Sequence, residues 1–505
     1  MASKSSSIVK RQTDEELLAS LGYKQEFKRA FAPLEVFGIA FSIIGLLPSI
    51  ASVLFYGIPN GGGPAMVWGW AIASFFILMV GMSMAELASA APTSGGLYFW
   101  TFSFSSPRWR RLLCWLVGYA NTIGSIASVA SIDWGCAVQV MAAANIGSNE
   151  NFEATPGQTF GVYAAIIVTH IAVCCLGTTV LARLQTLYVI LNVLLCLVVI
   201  IALPVATPAE FKNTAKFALW DFSNCTTTSF PAWLSAKIRL LKVNGWPDGY
   251  AFILSFLAPL WTIASFDSSV HISEEASNAA TAVPWAIVLA IFIAGVLGWA
   301  INISFAFCMG TDLAALYASP QPMAQIFFNS FGRTGTLALW AFVVIVHYTR
   351  TPVNTVFFDG LLALVLGLLV FAGDQAINAL FAISVVGLYI AYAIPIAARF
   401  MGKNTFQPGP FSLGIFSFPV AVIAVLFMLL MSIVFCFPTS PNTTVQDMNY
   451  TVVVLGGVMV LSVVWYYLPK YGGVHWFTGP VANIDTHAVH ESEAFNHEKK
   501  SSSGI

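Results

Sequence analysis

The sequence predicts an all-α protein that crosses a membrane many times, and three observations lead to this fold class. Of the 505 residues, 58% are hydrophobic and only 9% are charged, and the mean hydropathy is +0.79. Soluble domains contain about 25% charged residues. The apolar residues occur in blocks of about 20, which is the length that a helix needs to cross a hydrocarbon core. A membrane β-barrel would instead alternate apolar and polar residues along shorter strands.

The apolar blocks predict eleven full spans and one short span. They lie at residues 34–56, 65–87, 112–142, 159–178, 182–206, 250–271, 283–309, 335–347 (the short span), 352–372, 377–400, 416–438 and 451–468. Twelve spans place both termini on one side of the membrane. Most Lys and Arg residues outside the spans lie on that side, so the positive-inside rule predicts that both termini are cytoplasmic.

The spans form two groups of five, followed by two more. Because each group has an odd number of spans, the second enters the membrane from the opposite side, and we expect an inverted repeat. The predicted units are a cytoplasmic tail (1–33), a first repeat (34–206), an extracytoplasmic loop (207–249), a second repeat (250–400), two last helices (401–468) and a cytoplasmic tail (469–505).

The first span of each group contains helix-breaking residues near its middle. In the first span these are Gly45 and Pro48, and in the sixth span Pro259 lies within the segment 257–267. A break frees backbone N–H and C=O groups, which are tolerated at membrane depth only where they line a cavity. Paired interruptions in corresponding halves therefore indicate a substrate site at the membrane midplane. The alternative is an ordinary kink, since Gly and Pro are common in membrane helices.

The residues around the two breaks suit a small molecule with a carboxylate and an amine. Freed amides at a half-helix N-terminus favour a carboxylate, and freed carbonyls favour an ammonium group. In the first span these backbone groups lie between Ser42 and Leu47. The sixth span adds an aromatic face, a hydroxyl and small side chains from Trp261, Thr262, Ala264 and Ser265.

Three acidic residues are candidates for proton coupling or gating, in the order Asp267, Glu86 and Asp133. An ionisable residue within a span is a functional candidate by default. Each also has a structural alternative. Asp267 could lie at the cytoplasmic interface, Glu86 could pair with a loop arginine such as Arg108, and Asp133 could form an interhelical hydrogen bond. Glu274 and Glu275 are expected to form a helix start and loop contacts.

Several classes of function are excluded by what the sequence does not contain. No phosphate-binding loop, H-E-x-x-H or G-x-S-x-G motif occurs, so neither an enzyme nor a primary pump is predicted. The eight cysteines include no C-x-x-C pair, and we expect no metal site and no cofactor. The net charge of −1 gives no indication of a nucleic-acid partner.

Seven segments together resemble a known family. They are SIIGLLPSIAS (42–52), MAELASAAPTSGGLYFW (84–100), LAPLWTIASFDSSVHISEEASNAATAVPWAI (257–287), RTPVNTV (350–356), PIAARF (395–400), FPTSPNTT (437–444) and VVWYYLPKYGGVHWFTGP (463–480). The family is the fungal amino acid permeases, in the GABA and choline branch of the amino acid–polyamine–organocation superfamily. The resemblance implies a fold similar to the leucine transporter, with five plus five inverted spans and two extra helices.

The resemblance also implies where substrate binds, namely between the broken first and sixth helices, usually with proton coupling. Matching by position assigns two binding segments: Ile44, Gly45 and Leu46 in the first helix, and Trp261, Thr262, Ala264, Ser265 and Phe266 in the sixth.

The sequence departs from the family pattern at two places. The apolar run from Leu337 to Val346 is too short to cross a membrane unaided, and it continues directly into the RTPVNTV segment. Relatives have a full eighth span and a further cytoplasmic stretch there, so a segment is missing. Residues 225–243 resemble an insertion into the loop before the sixth span.

The sequence therefore predicts a secondary transporter for amino acids or related small amines, with GABA as the expected substrate and a proton as the coupling ion. Its expected partners are this substrate, the proton and the lipid bilayer, with no nucleic acid. The plasma membrane is favoured over the vacuole. Three alternatives remain open: a choline or polyamine permease, a nutrient sensor that does not transport, and a splice product inactivated by its shortened eighth span.

Overall fold

The chain folds into a bundle of membrane-spanning helices. The computed structural model describes residues 13–174, 178–224, 246–348, 356–402, 406–438 and 448–483. Among these, nine helices are long and apolar enough to cross a membrane, and two shorter apolar helices are Asp359–Ala372 and Thr451–Tyr466. With the interrupted sixth span they fill all twelve predicted positions. The prediction of a polytopic helical membrane protein is confirmed.

The first group of spans begins with a helix in two halves. The halves are Pro33–Ile44 and Leu46–Gly57. The next four spans are Gly62–Ala90, Arg110–Gly147, Pro156–Cys174 and Thr178–Ala206. The first of these four, Gly62–Ala90, contains a π-helical turn, Ala65–Gly69, near its start.

The second group also begins with an interrupted helix. Its pieces are Asp248–Leu254, Leu257–Thr262 and Ser268–His271. The other spans of this half are Ala279–Cys308, Pro322–Tyr348, Val356–Gly367 with a 3₁₀ extension Leu368–Ala372, and Asp374–Met401. The last two spans are Ser417–Val434, which follows a 3₁₀ turn Gly414–Phe416, and Thr451–Tyr466.

Short elements connect the spans. The helical ones are Asp14–Ser20, Gly96–Phe104, Ala209–Phe211, Ala215–Leu219, Ser273–Glu275, Leu313–Ala318 and Gly473–Trp476. Two short strands, Asn60–Gly61 and Ser223–Asn224, pair antiparallel with Asn60 opposite Asn224. The predicted insertion at 225–243 lies outside the described residues.

The two broken helices pack against each other in antiparallel fashion. The second half of the first span, Leu46–Gly57, contacts Leu257–Thr262, which precedes the break in the sixth span. The first half, Pro33–Ile44, contacts Ser268–His271, which follows that break. A chain that runs in opposite directions through two corresponding helices is what an inverted repeat requires. The pairing also places both breaks at the same depth in the bundle.

The eighth span is short because its helix bends at Gly332, whereas the sequence showed only that the apolar run is short. The helix Pro322–Tyr348 is bent at Gly332, whose φ of 65° and ψ of −178° are not helical. The part after the bend, residues 333–348, is about 24 Å long at 1.5 Å per residue, against about 30 Å for a hydrocarbon core. Residues 322–331 form a separate helical arm before it.

Candidate substrate site

The first span breaks at Gly45. Its φ of 47° and ψ of 59° are left-handed, a conformation that glycine adopts without a steric penalty. We expected Pro48 to contribute to the break, and its position agrees with this, because in an uninterrupted helix its ring would clash with the carbonyl of Ile44, the last residue of the first half. Pro48 lies in the first turn of the second half-helix, where a missing backbone N–H costs no intrahelical hydrogen bond.

The backbone groups left open at this break are mainly amides. The Ser49 hydroxyl donates to the carbonyl oxygens of Ile44 and Gly45, at 2.7 and 2.6 Å. The first amides of the second half, those of Leu46 and Leu47, have no acceptor within their own helix. Their N–H groups and the positive end of the helix dipole suit an anion. Ser42, also predicted to bind substrate, donates to the carbonyl of Ile39 at 3.2 Å.

The sixth span is non-helical between Thr262 and Ser268. Ser265 has a φ of 58°, which is uncommon for a residue other than glycine. Thr262, Ala264 and Phe266 are buried around this turn. The Thr262 hydroxyl is fully buried and has no hydrogen-bond partner among the described residues. An unsatisfied buried hydroxyl costs about 1–3 kcal/mol, so a hydrogen bond between the Thr262 hydroxyl and a ligand would recover free energy.

An aromatic cluster covers one side of the breaks. Trp261 donates from its indole nitrogen to the Ser131 hydroxyl at 3.0 Å, which fixes the ring. Its ring centroid lies 4.8 Å from that of Phe381 in the tenth span. The ring centroid of Phe381 in turn lies 6.1 Å from that of Phe55 and 5.9 Å from that of Tyr56. These rings separate the breaks from the space beyond them.

A cavity of about 120 Å³ lies on the far side of these rings. Its lining comes from the end of the first span, the start of the sixth and tenth spans and the loops that precede the eighth and twelfth: Phe55, Tyr56, Pro59, Asn60, Leu254, Leu257, Tyr317, Gln375, Asn378, Ala379, Ala382, Phe435, Phe437 and Asn449. The cavity therefore leads from one face of the bundle to the aromatic cluster.

The opposite end of the bundle, here called the terminal face, contains both described chain ends. The amide of Asn483 donates to the carbonyl of Gly22 at 3.0 Å, and the amide of Lys24 donates to the Asn483 side chain at 2.7 Å. Backbone hydrogen bonds also join Phe31 to Glu275 and Ser277. The N-terminal segment thus covers the end of the sixth span.

Further contacts hold this cover in place. The Arg29 guanidinium donates to the carbonyl of Ala276 at 2.6 Å and lies 3.5 Å from the Asp14 carboxylate. Glu274 accepts from the amide and hydroxyl of Ser94, at 2.9 and 2.6 Å, so it makes the loop contact that was predicted. Burial, and then the neighbouring Glu274 carboxylate, raise the pKa of Glu275.

Glu86 closes the terminal face within the helices. It is 1% exposed and lies 2.6 Å from Arg399 of the tenth span. It also accepts from the Ser417 hydroxyl at 2.6 Å and from the Leu413 amide at 2.8 Å. An arginine does pair with Glu86, as one of the two interpretations proposed, but it is Arg399 at the end of the tenth span and not a loop arginine such as Arg108. Glu86 joins the second span, the tenth span and the turn before the eleventh.

Asp267 and Asp133 are both buried and occupy different parts of the bundle. Asp267 accepts from the Tyr392 hydroxyl at 2.7 Å, and its other oxygen lies 3.8 Å from His271. It is 5% exposed and joins the sixth span to the tenth. Asp133 is 1% exposed and lies 3.1 Å from His170 of the fourth span, so it makes an interhelical contact.

Sequence reasoning assigned no site residue to the fifth span. Asn192 is buried, and its amide nitrogen has no partner among the described residues. One turn later, the Cys196 thiol lies against the backbone amide of Leu47 at the break in the first span. Asn192 stands alone as a polar residue in an apolar run, and that isolation was the available signal. Arg399 was visible only as part of the PIAARF segment.

A helical membrane bundle with two antiparallel broken helices, a cavity at one face and a closed opposite face is the architecture of secondary transporters. The family model for amino acid permeases matches residues 31–349 and 346–459. A GABA-specific permease of Saccharomyces cerevisiae is 36% identical, over 94% of this chain and 87% of its own length. An uncharacterised amino-acid permease of Schizosaccharomyces pombe is 35% identical (93% and 88%), and an Arabidopsis thaliana amino-acid permease is 30% identical (92% and 96%).

The chain belongs to the amino acid permease family, and it is a membrane transporter of amino acids or related amines rather than an enzyme. The family match also marks where the chain departs from its relatives. The two matched segments meet at residues 346–349, where the eighth helix ends. The match to the yeast GABA permease runs over 521 positions, more than the 505 residues of this chain. Relatives therefore contain residues that this chain does not.

Replacing Thr262 with valine is expected to weaken substrate binding without destabilising the protein. Valine has nearly the same shape but removes a buried hydroxyl that has no partner in the substrate-free protein. We expect the KM to rise about tenfold, which corresponds to one lost hydrogen bond to a charged group. The measurements are uptake kinetics and thermal unfolding of the purified protein.

The matched control is Thr336→Val, because Thr336 is equally buried and its hydroxyl also lacks a partner among the described residues. This variant is expected to keep the wild-type KM. Equal KM values for both variants, or a marked loss of stability in Thr262→Val alone, would contradict the assignment of Thr262 to the site.

Proposed function

We propose that this protein imports GABA or a closely related amino acid together with a proton. The observation that carries the proposal is the pair of helix breaks, which offers the first amides of a half-helix, those of Leu46 and Leu47, opposite the non-helical turn 263–267. The Leu47 amide meets the Cys196 thiol, a weak acceptor that a carboxylate would displace. The 36% identity to a GABA-specific permease over nearly the whole chain supports the choice of substrate.

The two breaks suit the two charged ends of such a substrate. The substrate carboxylate would accept from the amides of Leu46 and Leu47, at the positive end of a half-helix. The ammonium group would donate to backbone carbonyls of the sixth-span turn and to the Thr262 hydroxyl. Ile44, Gly45, Ala264, Ser265 and Phe266 would shape the pocket, and Trp261 would cover it. Choline has no carboxylate for the amides, so it fits the open amides at the first break less well.

Alternating access follows from the two faces of the bundle. The aromatic cluster separates the site from the cavity, while Glu86, Arg399 and the N-terminal segment close the terminal face. The excess of Lys and Arg on the terminal side supports a cytoplasmic location for both termini. Substrate would enter past Phe381 from outside the plasma membrane, and release inside would require the Glu86–Arg399 contact to open. Asp267, bonded to Tyr392 beside the sixth-span turn, is placed to report occupancy to the tenth span.

The proposal is tested by radiolabelled GABA uptake in permease-deficient yeast cells that express this chain. We expect saturable uptake that is faster at an external pH of about 5 than at about 7, since each pH unit adds about 1.4 kcal/mol per coupled proton. Choline and a polyamine serve as competitors. Uptake of choline in place of GABA would contradict the substrate assignment, and equal rates at the two pH values would contradict proton coupling.

A second protein is tested beside this chain: a variant whose eighth span has the length found in relatives. Comparing the two shows whether the short eighth span affects transport. Uptake by both forms would show that the short eighth span is compatible with transport. Uptake by the lengthened form alone would identify the chain as an inactive variant. A protein that binds GABA at the membrane but moves none in either form would be a sensor.

A further inference from the structure

A buried acid–base pair lies in the third and fourth spans, outside the two broken helices. The Asp133 carboxylate Oδ1 lies 3.1 Å from His170 Nδ1. The other ring nitrogen, His170 Nε2, lies 2.8 Å from the backbone carbonyl oxygen of Tyr348. Asp133 is 1% exposed and His170 is 7% exposed. Ionisable groups this deep in a membrane protein are rare and often belong to proton pathways.

Hydrogen-bond chemistry fixes how many protons this arrangement contains. A carbonyl oxygen can only accept, so His170 Nε2 carries a hydrogen. The short contact between Nδ1 and the carboxylate then needs a second hydrogen, because two lone pairs at this distance would repel. That hydrogen is either on the ring, as imidazolium beside carboxylate, or on the acid, beside neutral imidazole. In both forms the pair is neutral overall and has bound one releasable proton.

The pair is connected to the end of the eighth span. Tyr348 is the last residue of that helix, and its carbonyl is one of the groups that a helix end leaves without an intrahelical donor. His170 supplies this donor, and its ring also packs on the Tyr348 ring at 4.2 Å. The protonated pair therefore holds the end of the shortened eighth span against the fourth span.

The same helix end is connected to the substrate site. His347, the neighbour of Tyr348, lies with Nδ1 2.9 Å from the side-chain oxygen of Gln139. Gln139 donates its amide to the Pro48 carbonyl at 2.8 Å and to the Ser52 hydroxyl at 3.1 Å. Pro48 lies three residues after the break at Gly45. One buried chain of contacts thus joins the proton on the Asp133–His170 pair to the first-span break.

We infer that the Asp133–His170 pair is the proton-binding site of this transporter, and that it acts by clamping the C-terminal end of the eighth span. The inference rests on the proposed proton-coupled transport and specifies where its proton binds. Loss of the proton leaves a carboxylate facing a bare ring nitrogen at 3.1 Å in a buried site, which is repulsive. The ring must then turn away, and the Tyr348 carbonyl loses its donor.

Release of that carbonyl frees the last turn of the eighth span, and with it His347 and Gln139. The first-span break then loses its contact with the third span. This movement couples proton loss to rearrangement of the substrate site. Asp267 and Glu86 lie elsewhere: Asp267 bonds Tyr392 of the tenth span and Glu86 bonds Arg399. Asp267 holds the non-helical turn of the sixth span against the tenth span, and Glu86 holds the terminal face closed.

Other titratable groups lie on the two helices of the pair and on helices near them. These are Cys136 on the third span, Tyr163 on the fourth, Tyr188 on the fifth, His347 and Tyr348 on the eighth, and Asp359 on the ninth. Cys136 and Tyr163 both interact electrostatically with Asp133. Asp359 is the other carboxylate on these helices and therefore provides the matched control. The tenth span, which packs along the third, adds Tyr389 and Tyr392.

The test uses full-length protein in proteoliposomes and separates exchange from accumulation. Exchange of labelled for unlabelled GABA at equal pH needs the substrate site alone. Accumulation driven by a pH gradient needs the proton as well, and one coupled proton sustains at most about tenfold accumulation per pH unit. Asp133→Asn and His170→Gln are expected to exchange GABA but to accumulate it no further than an equal concentration inside and outside. Asp359→Asn is expected to accumulate like the wild type.

Accumulation by both pair variants at the wild-type level would overturn the inference, as would loss of accumulation in Asp267→Asn alone.

A second measurement, of thermal unfolding, needs no substrate. The described arrangement requires the bound proton, so raising the pH should lower the thermal unfolding midpoint of the wild type more steeply than that of the Asp133→Asn/His170→Gln double variant. Identical pH dependence would overturn the inference. Absence of GABA exchange in the wild type would instead contradict GABA as the substrate. The unfolding measurement would still show whether the Asp133–His170 pair binds a proton.

Discussion

Replacing Gly45 with valine is expected to reduce substrate transport by about 100-fold or more, while the protein still folds and reaches the membrane. Gly45 has left-handed backbone angles, which are strongly unfavourable for a β-branched residue. Valine would shift the start of the second half-helix and misplace the amides of Leu46 and Leu47. Each hydrogen bond from such an amide to a charged group contributes about 1.5–3 kcal/mol, so losing two accounts for the effect.

Gly414 offers a matched control for the backbone strain. It also has a positive φ, of 57°, and a side chain added there would meet no atom within 4 Å. Gly414→Val should therefore reproduce the strain without touching the substrate site. Measured uptake kinetics and surface expression distinguish the two variants. Wild-type uptake by Gly45→Val, or an equal loss of uptake in both variants, would contradict the assignment of the first-span break to substrate binding.

Replacing Glu86 with alanine is expected to destabilise the protein by about 3–5 kcal/mol, the usual consequence of removing one partner from a buried ion pair. Arg399 is 8% exposed in its side chain and would remain as a charge without its carboxylate. The Leu413 amide and the Ser417 hydroxyl would lose their acceptor as well. Arg399 also packs over the Phe406 ring at 3.9 Å, so its charge would stay largely buried. The measurement is thermal unfolding of the detergent-purified protein.

Two comparisons make this second prediction specific. Glu153→Ala removes an exposed carboxylate and should leave the unfolding midpoint unchanged. The double replacement Glu86→Met/Arg399→Met removes both charges, so it should recover much of the stability that Glu86→Ala loses. A Glu86→Ala midpoint equal to that of the wild type would show that the pair does not hold the terminal face closed.

The fold was largely predictable because its signals are local. Length and hydropathy located the spans, since lipid requires an uninterrupted apolar helix of a set length. The break at Gly45 was predicted because glycine alone adopts its backbone angles freely. Pro48 was the second signal, because a proline lacks the backbone N–H and clashes with the carbonyl four residues before it. The bend at Gly332 was missed, because one glycine in an otherwise helical pattern is usually tolerated.

The acidic residues show what a local sequence signal cannot predict, namely which side chains contact each other across the bundle. The sequence marked Glu86, Asp133 and Asp267 as unusual because charges inside spans are costly, but it could not name their partners. Those partners, Arg399, His170 and Tyr392, lie on helices that are distant along the chain. The hydrogen bond from Trp261 to Ser131 was likewise invisible until the helices were packed.

By itself, the sequence determined that this is a membrane transporter with two broken helices and a shortened eighth span. Each of these properties is determined by a short run of residues and by the demands of lipid on the backbone. Only the tertiary structure decided which carboxylate pairs with Arg399 at the terminal face and which one lies beside a histidine. Those roles depend on distances between helices, and no segment of the chain encodes such a distance alone.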